Sequence, residues 1–180
     1  KLFIYAFETA AKAFALTDRA DLVGKAISIL ANKAGIYGMI GGQSVDVEYT
    51  DRPVTESQLE FIYELKTAAL LEAAMMIGAV LAGADDNQVK AAEQIAHHVG
   101  MAFQIRDDIL DVISTTEELG KPVKSDEKNN KTTYVTIYGL DGASKLVEEY
   151  SHTAMTLLDQ VCPNASFLKR LFEYLIVRKK

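Results

Sequence analysis

Gln104, Asp107, Asp108 and Asp111 follow one another at i, i+3, i+4 and i+7. This spacing puts all of them on one face of a helix. Ile95, Val99, Ala102, Ile109, Leu110 and Ile113 occupy the other side and read as a core stripe. The two stripes together predict one long helix, from about Asn87 to Ser114 and capped by Asp85-Asp86, with its apolar side in a core. Its acidic side is costly. Asp is a weak helix former, and like charges one turn apart oppose the helix by a few tenths of a kcal/mol. Arg106 projects away from the stripe and does not offset the charge. A solvated surface face is the plain explanation of such a pattern. The sharper one is that the carboxylates converge on a cation that arrives with a ligand.

The rest of the chain is helical in pattern. Leu2 to Leu16 carries Phe3, Phe7, Ala10 and Phe14 at helical spacing and stops at Thr17-Asp18, which cap a second helix beginning near Arg19. That helix runs through Leu22, Val23, Ile27 and Leu30 toward Gly35. The glycines between Gly35 and Gly42 mark either a turn or a continued helix in which glycine permits close packing. After the loop Asp51-Arg-Pro-Val, Thr55 and Gln58 form a capping box with Val54 and Leu59 as a hydrophobic staple. The helix they start is expected to reach about Leu81 and to end at Gly83. It is apolar nearly all round, as a buried helix is, except at Lys66-Thr67. A lysine there either extends its charge to solvent or points at an anion. Met75 and Met76 read as core filling. His97 shares the acidic face but lies well upstream of Asp107 and is not assigned a role. The polar stretch from Thr115 to Lys131 holds Gly120, Pro122 and the lysines Lys121, Lys124, Lys128 and Lys131. It reads as an exposed loop, or as one hinged to close over an anionic ligand. Thr132–Tyr138, Asp141–Val161 and Ser166–Val177 read as further helices, with Asp141 as an N-cap and Pro163 as a breaker.

Composition narrows the function classes. The 180 residues suffice for one domain with a full core, and alternating strand patterns are scarce. A net charge of −6 argues against a nucleic-acid partner. The lone Cys162 rules out a disulfide framework and a cysteine-based metal site, and points to a reducing, cytoplasmic setting. No uninterrupted apolar run approaches the roughly 18 residues of a membrane span. Lys1 opens directly into apolar periodic sequence, as a chain entered in mid-helix would, so upstream residues are expected.

Several segments, in order, resemble the trans-prenyltransferases, or polyprenyl diphosphate synthases, of the farnesyl and geranylgeranyl diphosphate synthase type. YAFETAAKAFAL is similar to the family helix after the first Asp-rich motif, and GMIGGQSVDVE to its GMxxGQxxD stretch. ELKTAALLEAA resembles the KT helix, GMAFQIRDDILD the second Asp-rich motif, and GKPVKSDEKNNKTTY the loop that follows it. The resemblance implies an all-α, isoprenoid-synthase-type helical bundle around a central cavity, with residues 1–180 as a single helical domain. It implies Asp107 and Asp111 as ligands of Mg²⁺, or alternatively Mn²⁺, with Asp108 completing the metal motif. Lys66 and Thr67 would contact an allylic diphosphate beside Gln104. Lys121 and Lys131 would neutralise the same diphosphate, and Gln43 and Asp46 would line the cavity.

The implied reaction is head-to-tail (1′-4) condensation of isopentenyl diphosphate with dimethylallyl, geranyl or farnesyl diphosphate, giving a short all-trans polyprenyl diphosphate. A homodimer is the expected assembly. The family's first Asp-rich motif, its isopentenyl-diphosphate-binding basic residues and its chain-length region have no counterpart here, so the chain is expected to represent about the C-terminal two-thirds of a member. Ser125, Asn130 and Val135 replace a glycine, a glycine and a proline of the family loop. The absent first motif keeps open a non-catalytic or regulatory partner subunit of the same fold. A terpene cyclase is the other alternative, against which the KT helix and the GKP loop argue.

Overall fold

A computed structural model describes residues 2–114 and 131–177. The described residues are helical, with no strand among them: α1 (Leu2–Lys12, tightening into a 3₁₀ turn at Ala13–Ala15), α2 (Ala20–Ala34), α3 (Met39–Glu48), α4 (Glu56–Tyr63), α5 (Ala69–Leu81), α6 (Asp86–Ile113), α7 (Tyr134–Val161) and α8 (Ser166–Val177). A π-helical segment, Glu64–Ala68, joins α4 to α5 without a break, so the run from Glu56 to Leu81 is continuous as its pattern predicts. All-α architecture is thus observed.

Local chemistry explains most starts. The Thr55 hydroxyl accepts from the Gln58 N–H at 3.3 Å while the Thr55 N–H donates to the Gln58 side chain at 2.8 Å. Asp85 and Gln88 repeat this reciprocal cap at α6. Thr133 and Thr136 do so at α7. These bonds satisfy donors that a helix N-terminus otherwise leaves open. The expected cap of α2 is not formed. Thr17 accepts from the Arg19 N–H at 3.1 Å, but no side chain caps the first turn of α2. Gly139, with φ 70° and ψ 174°, breaks α7 between the two helices read there.

The stretch from Gly35 resolves as both readings at once. The chain turns at Gly35–Gly38 and then resumes as α3. Within α3, Gly42 lies so close to the π segment that a Cβ would stand 2.5 Å from the Lys66 backbone nitrogen. On the opposite flank, a Cβ on Gly100 of α6 would stand 2.6 Å from the Ala68 Cα. Missing side chains at these two points let α3 and α6 clamp the π segment from both sides.

The central helix α6 packs most extensively on α7 and then on α5, while α5 also packs on α2. One core cluster gathers Leu59, Ile62, Tyr63, Met101, Ile105, Ile109, Tyr134 and Val147. Another gathers Ile95, Val99, Ala154, Leu158 and Phe172. The expected core stripe of α6 stops one turn early. Ile113, the last residue of α6, is 55% exposed, whereas Leu110 one turn earlier is buried. Large apolar side chains also stand exposed on the early helices and their connections, among them Ile4, Tyr5, Phe14, Ile36, Tyr37 and Val47. No helix among the described residues is long and apolar enough to cross a membrane.

Candidate diphosphate and metal site

The π segment carries Lys66 and Thr67. A π turn inserts one residue into the helical ladder and rotates the following side chains, and such insertions recur at functional sites. Its two polar side chains reach different neighbours. The Lys66 ammonium meets Asp46 Oδ2 of α3 at 2.7 Å. The Thr67 hydroxyl donates to Gln104 Oε1 of α6 at 2.8 Å. Lys66 therefore points at an anion, one supplied by the protein itself. It turns along the bundle to an internal carboxylate.

Asp46 is shared. Lys131, which precedes the cap of α7, stands 3.5 Å from Asp46 Oδ1. Lys131 is held near by its neighbour, since the Thr132 hydroxyl accepts from the Val54 N–H at 3.4 Å. The Asp46 side chain is only 16% exposed. Burial alone would raise its carboxyl, but the Lys66 hydrogen bond and the two lysine charges outweigh that and hold it below the usual carboxylate range. A cavity of about 380 Å³ opens beside this cluster, walled by Asp46, Arg52, Val54, Leu59, Ile62 and Lys131.

The acidic face of α6 divides. Asp107 is half-buried, and Asp111, one turn on, is buried. Asp108 turns toward the core. Its Oδ2 accepts from the Tyr63 hydroxyl at 2.7 Å and from the Tyr134 N–H at 3.3 Å. Among the described residues, no group of three or more His, Cys, Asp or Glu is arranged to hold a metal by protein ligands alone. Magnesium does not require that. It keeps several waters and takes one or two carboxylates, completing its shell with substrate phosphates. Asp107 and Asp111, two hard oxygen donors one turn apart, fit that ion.

The structure thus joins Asp46, Lys66 and Lys131, and separately Thr67 and Gln104. Gln43 is exposed and lines a shallow, largely apolar depression of α3 with Met39, Ile40 and Val47. Lys121 lies outside the described residues.

A second polar cluster escaped sequence reasoning. Glu72, 5% exposed, pairs with Lys33 of α2 and with His97 Nδ1, which lies 3.2 Å away. Lys33 also reaches Glu93 at 2.5 Å. Burial pushes the Glu72 carboxyl up, but His97 and Lys33 more than reverse this and leave it lowered. The hydrogen bond to Glu72 raises the His97 imidazole. An available signal was Glu72 itself, a lone acid within the apolar run Ala68–Ile77, which requires an opposite charge from another helix.

The described residues define an all-helical bundle that sets a lysine-bearing π segment beside an aspartate-rich helix. Residues 2–165 match the polyprenyl synthetase family, and the chain belongs to it. It is 38% identical over 152 residues to a farnesyl diphosphate synthase of Geobacillus stearothermophilus, a match covering 84% of this chain and 51% of that protein. It is 40% identical over 148 residues to a geranylgeranyl diphosphate synthase of Cyanophora paradoxa, covering 82% and 49%. Among solved structures, a geranyltransferase of Helicobacter pylori complexed with magnesium and isoprenyl diphosphate superposes with a TM-score of 0.80 at 31% identity, over 96% of this chain and 56% of that one. The fold is accordingly the all-α isoprenoid synthase fold. The chain spans about half the length of the curated relatives it matches.

Proposed function

We propose that the protein of which these residues are part is a magnesium-dependent polyprenyl diphosphate synthase. It condenses isopentenyl diphosphate with a short allylic diphosphate, and these helices supply the allylic half of the site. The observation that carries the reading is the juxtaposition of Lys66 and Lys131 on one nearly buried carboxylate, Asp46. Two ammonium groups on one aspartate leave net positive charge for an incoming anion. The chemical relatives support the reading: proteins of this similarity bear the names farnesyl and geranylgeranyl diphosphate synthase.

In this reading Lys66 and Lys131 hold the diphosphate, joined by Lys121, while Thr67 and Gln104 orient it. The allylic C–O bond breaks, and its electron pair leaves with the diphosphate. The isopentenyl double bond attacks the allylic carbon and a C–C bond forms; the resulting cation then gives a proton to a base, either a basic side chain or the released diphosphate, and the C–H electron pair becomes the new double bond. Lysine charge lowers the barrier by stabilising the leaving group as its charge develops. A bound Mg²⁺, held by Asp107 and Asp111, would act as a Lewis acid on the same oxygens. The apolar walls of the bundle keep water from the carbocation.

The exposed apolar side chains of α1 and the α2–α3 connection offer the surface for a homodimer, and the lone cysteine accords with a cytoplasmic location. The test is magnesium-dependent binding of an allylic diphosphate by the full chain and by its Lys66→Ala and Asp107→Ala variants. At limiting magnesium both substitutions are expected to abolish binding, and unchanged binding in both would rule the function out.

A further inference from the structure

Asp108 belongs by sequence to the acidic stripe, yet it turns into the core and is held there by two donors. One oxygen, Oδ2, receives both the Tyr63 hydroxyl and the Tyr134 N–H. Asp108, Tyr63 and Tyr134 are 4%, 3% and 4% exposed, and the two tyrosine rings lie 5.4 Å apart at their centroids. Tyr63 and Tyr134 sit in one core cluster with Met101 and Ile105 of α6.

The partners matter for where they sit in the chain. Tyr63 is the last residue of α4, immediately before the π segment that carries Lys66 and Thr67. Tyr134 is the first residue of α7, directly after Thr133 and close to Lys131. Its N–H is one of the first-turn donors that a helix cannot satisfy internally. A carboxylate there also meets the positive end of the helix dipole. One oxygen atom therefore ties together the start of the lysine-bearing segment, the aspartate helix and the entry to α7. Bonds from neutral donors to a carboxylate are among the stronger hydrogen bonds in proteins. A metal ion bound at Oδ2 would compete for both.

We infer that Asp108 is a positioning residue rather than a metal ligand: through Tyr63 and Tyr134 it sets where Lys66, Thr67 and Lys131 stand relative to Asp107 and Asp111. This rests on the diphosphate and metal reading proposed above. The bonds described for Asp108 go to Tyr63 and Tyr134, not to Lys66, Thr67 or Lys131. Both partners donate, and an ionised carboxylate oxygen accepts more strongly than an amide oxygen would.

The test compares Tyr63→Phe, Asp108→Asn and Asp107→Ala in the full chain, with Ile105→Val as a core control. Binding of inorganic diphosphate is measured across a magnesium titration, well below each variant's melting temperature. Tyr63→Phe removes one hydroxyl and leaves every carboxylate in place, so it informs even if Asp108→Asn fails to fold. Tyr63→Phe and Asp108→Asn are each expected to weaken diphosphate binding roughly tenfold, the worth of one hydrogen bond to a charged group. Both are expected to keep the wild-type magnesium concentration at half-saturation. Asp107→Ala is expected to raise that concentration, and Ile105→Val to lower the melting temperature without changing the diphosphate Kd. If Tyr63→Phe binds like wild type while Asp108→Asn shifts the magnesium midpoint as far as Asp107→Ala does, Asp108 is a ligand and the inference is overturned. If Asp107→Ala leaves the titration unchanged as well, the underlying site reading fails and takes the inference with it.

Discussion

Gly42→Ala isolates the seating of the π segment from every charged group around it. A Cβ at this position would stand 2.5 Å from the Lys66 backbone nitrogen, 2.8 Å from the Leu65 Cβ and 2.9 Å from the Leu65 carbonyl carbon. Two of these three are backbone atoms, so no side-chain rotation relieves the clash. The π segment must move by about an ångström or α3 must tilt; overpacking of this kind costs about 1–3 kcal/mol. Alanine returns up to about 1 kcal/mol in helix propensity. The net expectation is a loss of about 1–2 kcal/mol. At roughly 2–4 °C per kcal/mol for a domain of this size, that lowers the melting temperature by a few degrees.

Gly78→Ala is the internal control. Nothing lies within 4 Å of its Cβ, so alanine is expected to stabilise α5 by about 0.5–1 kcal/mol. The assay is thermal or urea unfolding of both variants, with diphosphate binding measured in each. Gly42→Ala is expected to weaken binding, because Lys66 moves with its backbone, while Gly78→Ala leaves it unchanged. If Gly42→Ala is as stabilising as Gly78→Ala and binds diphosphate normally, the clamp between α3 and α6 does not position Lys66, and the reasoning is refuted.

The remaining predictions concern paired charges. The Asp46–Lys66 pair is partly exposed on the lysine side, so its worth lies between that of a surface and of a buried pair. A double-mutant cycle of Asp46→Asn with Lys66→Met should give a coupling of about 1 kcal/mol in urea unfolding, and zero coupling would dismiss the pair. The Glu72–His97 contact predicts a pH dependence. Glu72 is lowered from 4.5, so its contribution is present above that value and lost as pH falls through its folded pKa. His97 is raised from 6.5, so its contribution is complete below that value and lost as pH rises through its folded pKa. Stability from this contact is therefore greatest between pH 4.5 and 6.5. His97→Gln should flatten the decline on the alkaline side of unfolding profiles, and an unaltered decline would place its origin elsewhere.

The helices could be read from sequence because what makes them is local. The capping box of Thr55–Gln58 spans only three residues and forms where the pattern puts it, and Asp85 caps α6 as its position predicts. The break near Gly139 and the continuity from Glu56 to Leu81 were legible for the same reason. The candidate residues Lys66, Thr67, Gln104, Asp107 and Asp111 also stood out by type and spacing, since polar groups on otherwise apolar helices incur a cost that only a partner or a ligand repays.

Their partners were not legible. That Lys66 meets Asp46, that Asp108 faces two tyrosines and that Lys33 crosses to Glu72 depend on contacts between residues 20, 45, 26 and 39 positions apart. Nor does any residue announce the π turn at Glu64–Ala68, because its inserted residue is stabilised by packing between α3 and α6 rather than by propensity. By itself the sequence determined which segments are helices and which side chains are too costly to bury alone. Only the tertiary structure decided which carboxylate answers which cation, because a charge in a bundle is satisfied by whatever the neighbouring helix brings within a few ångströms.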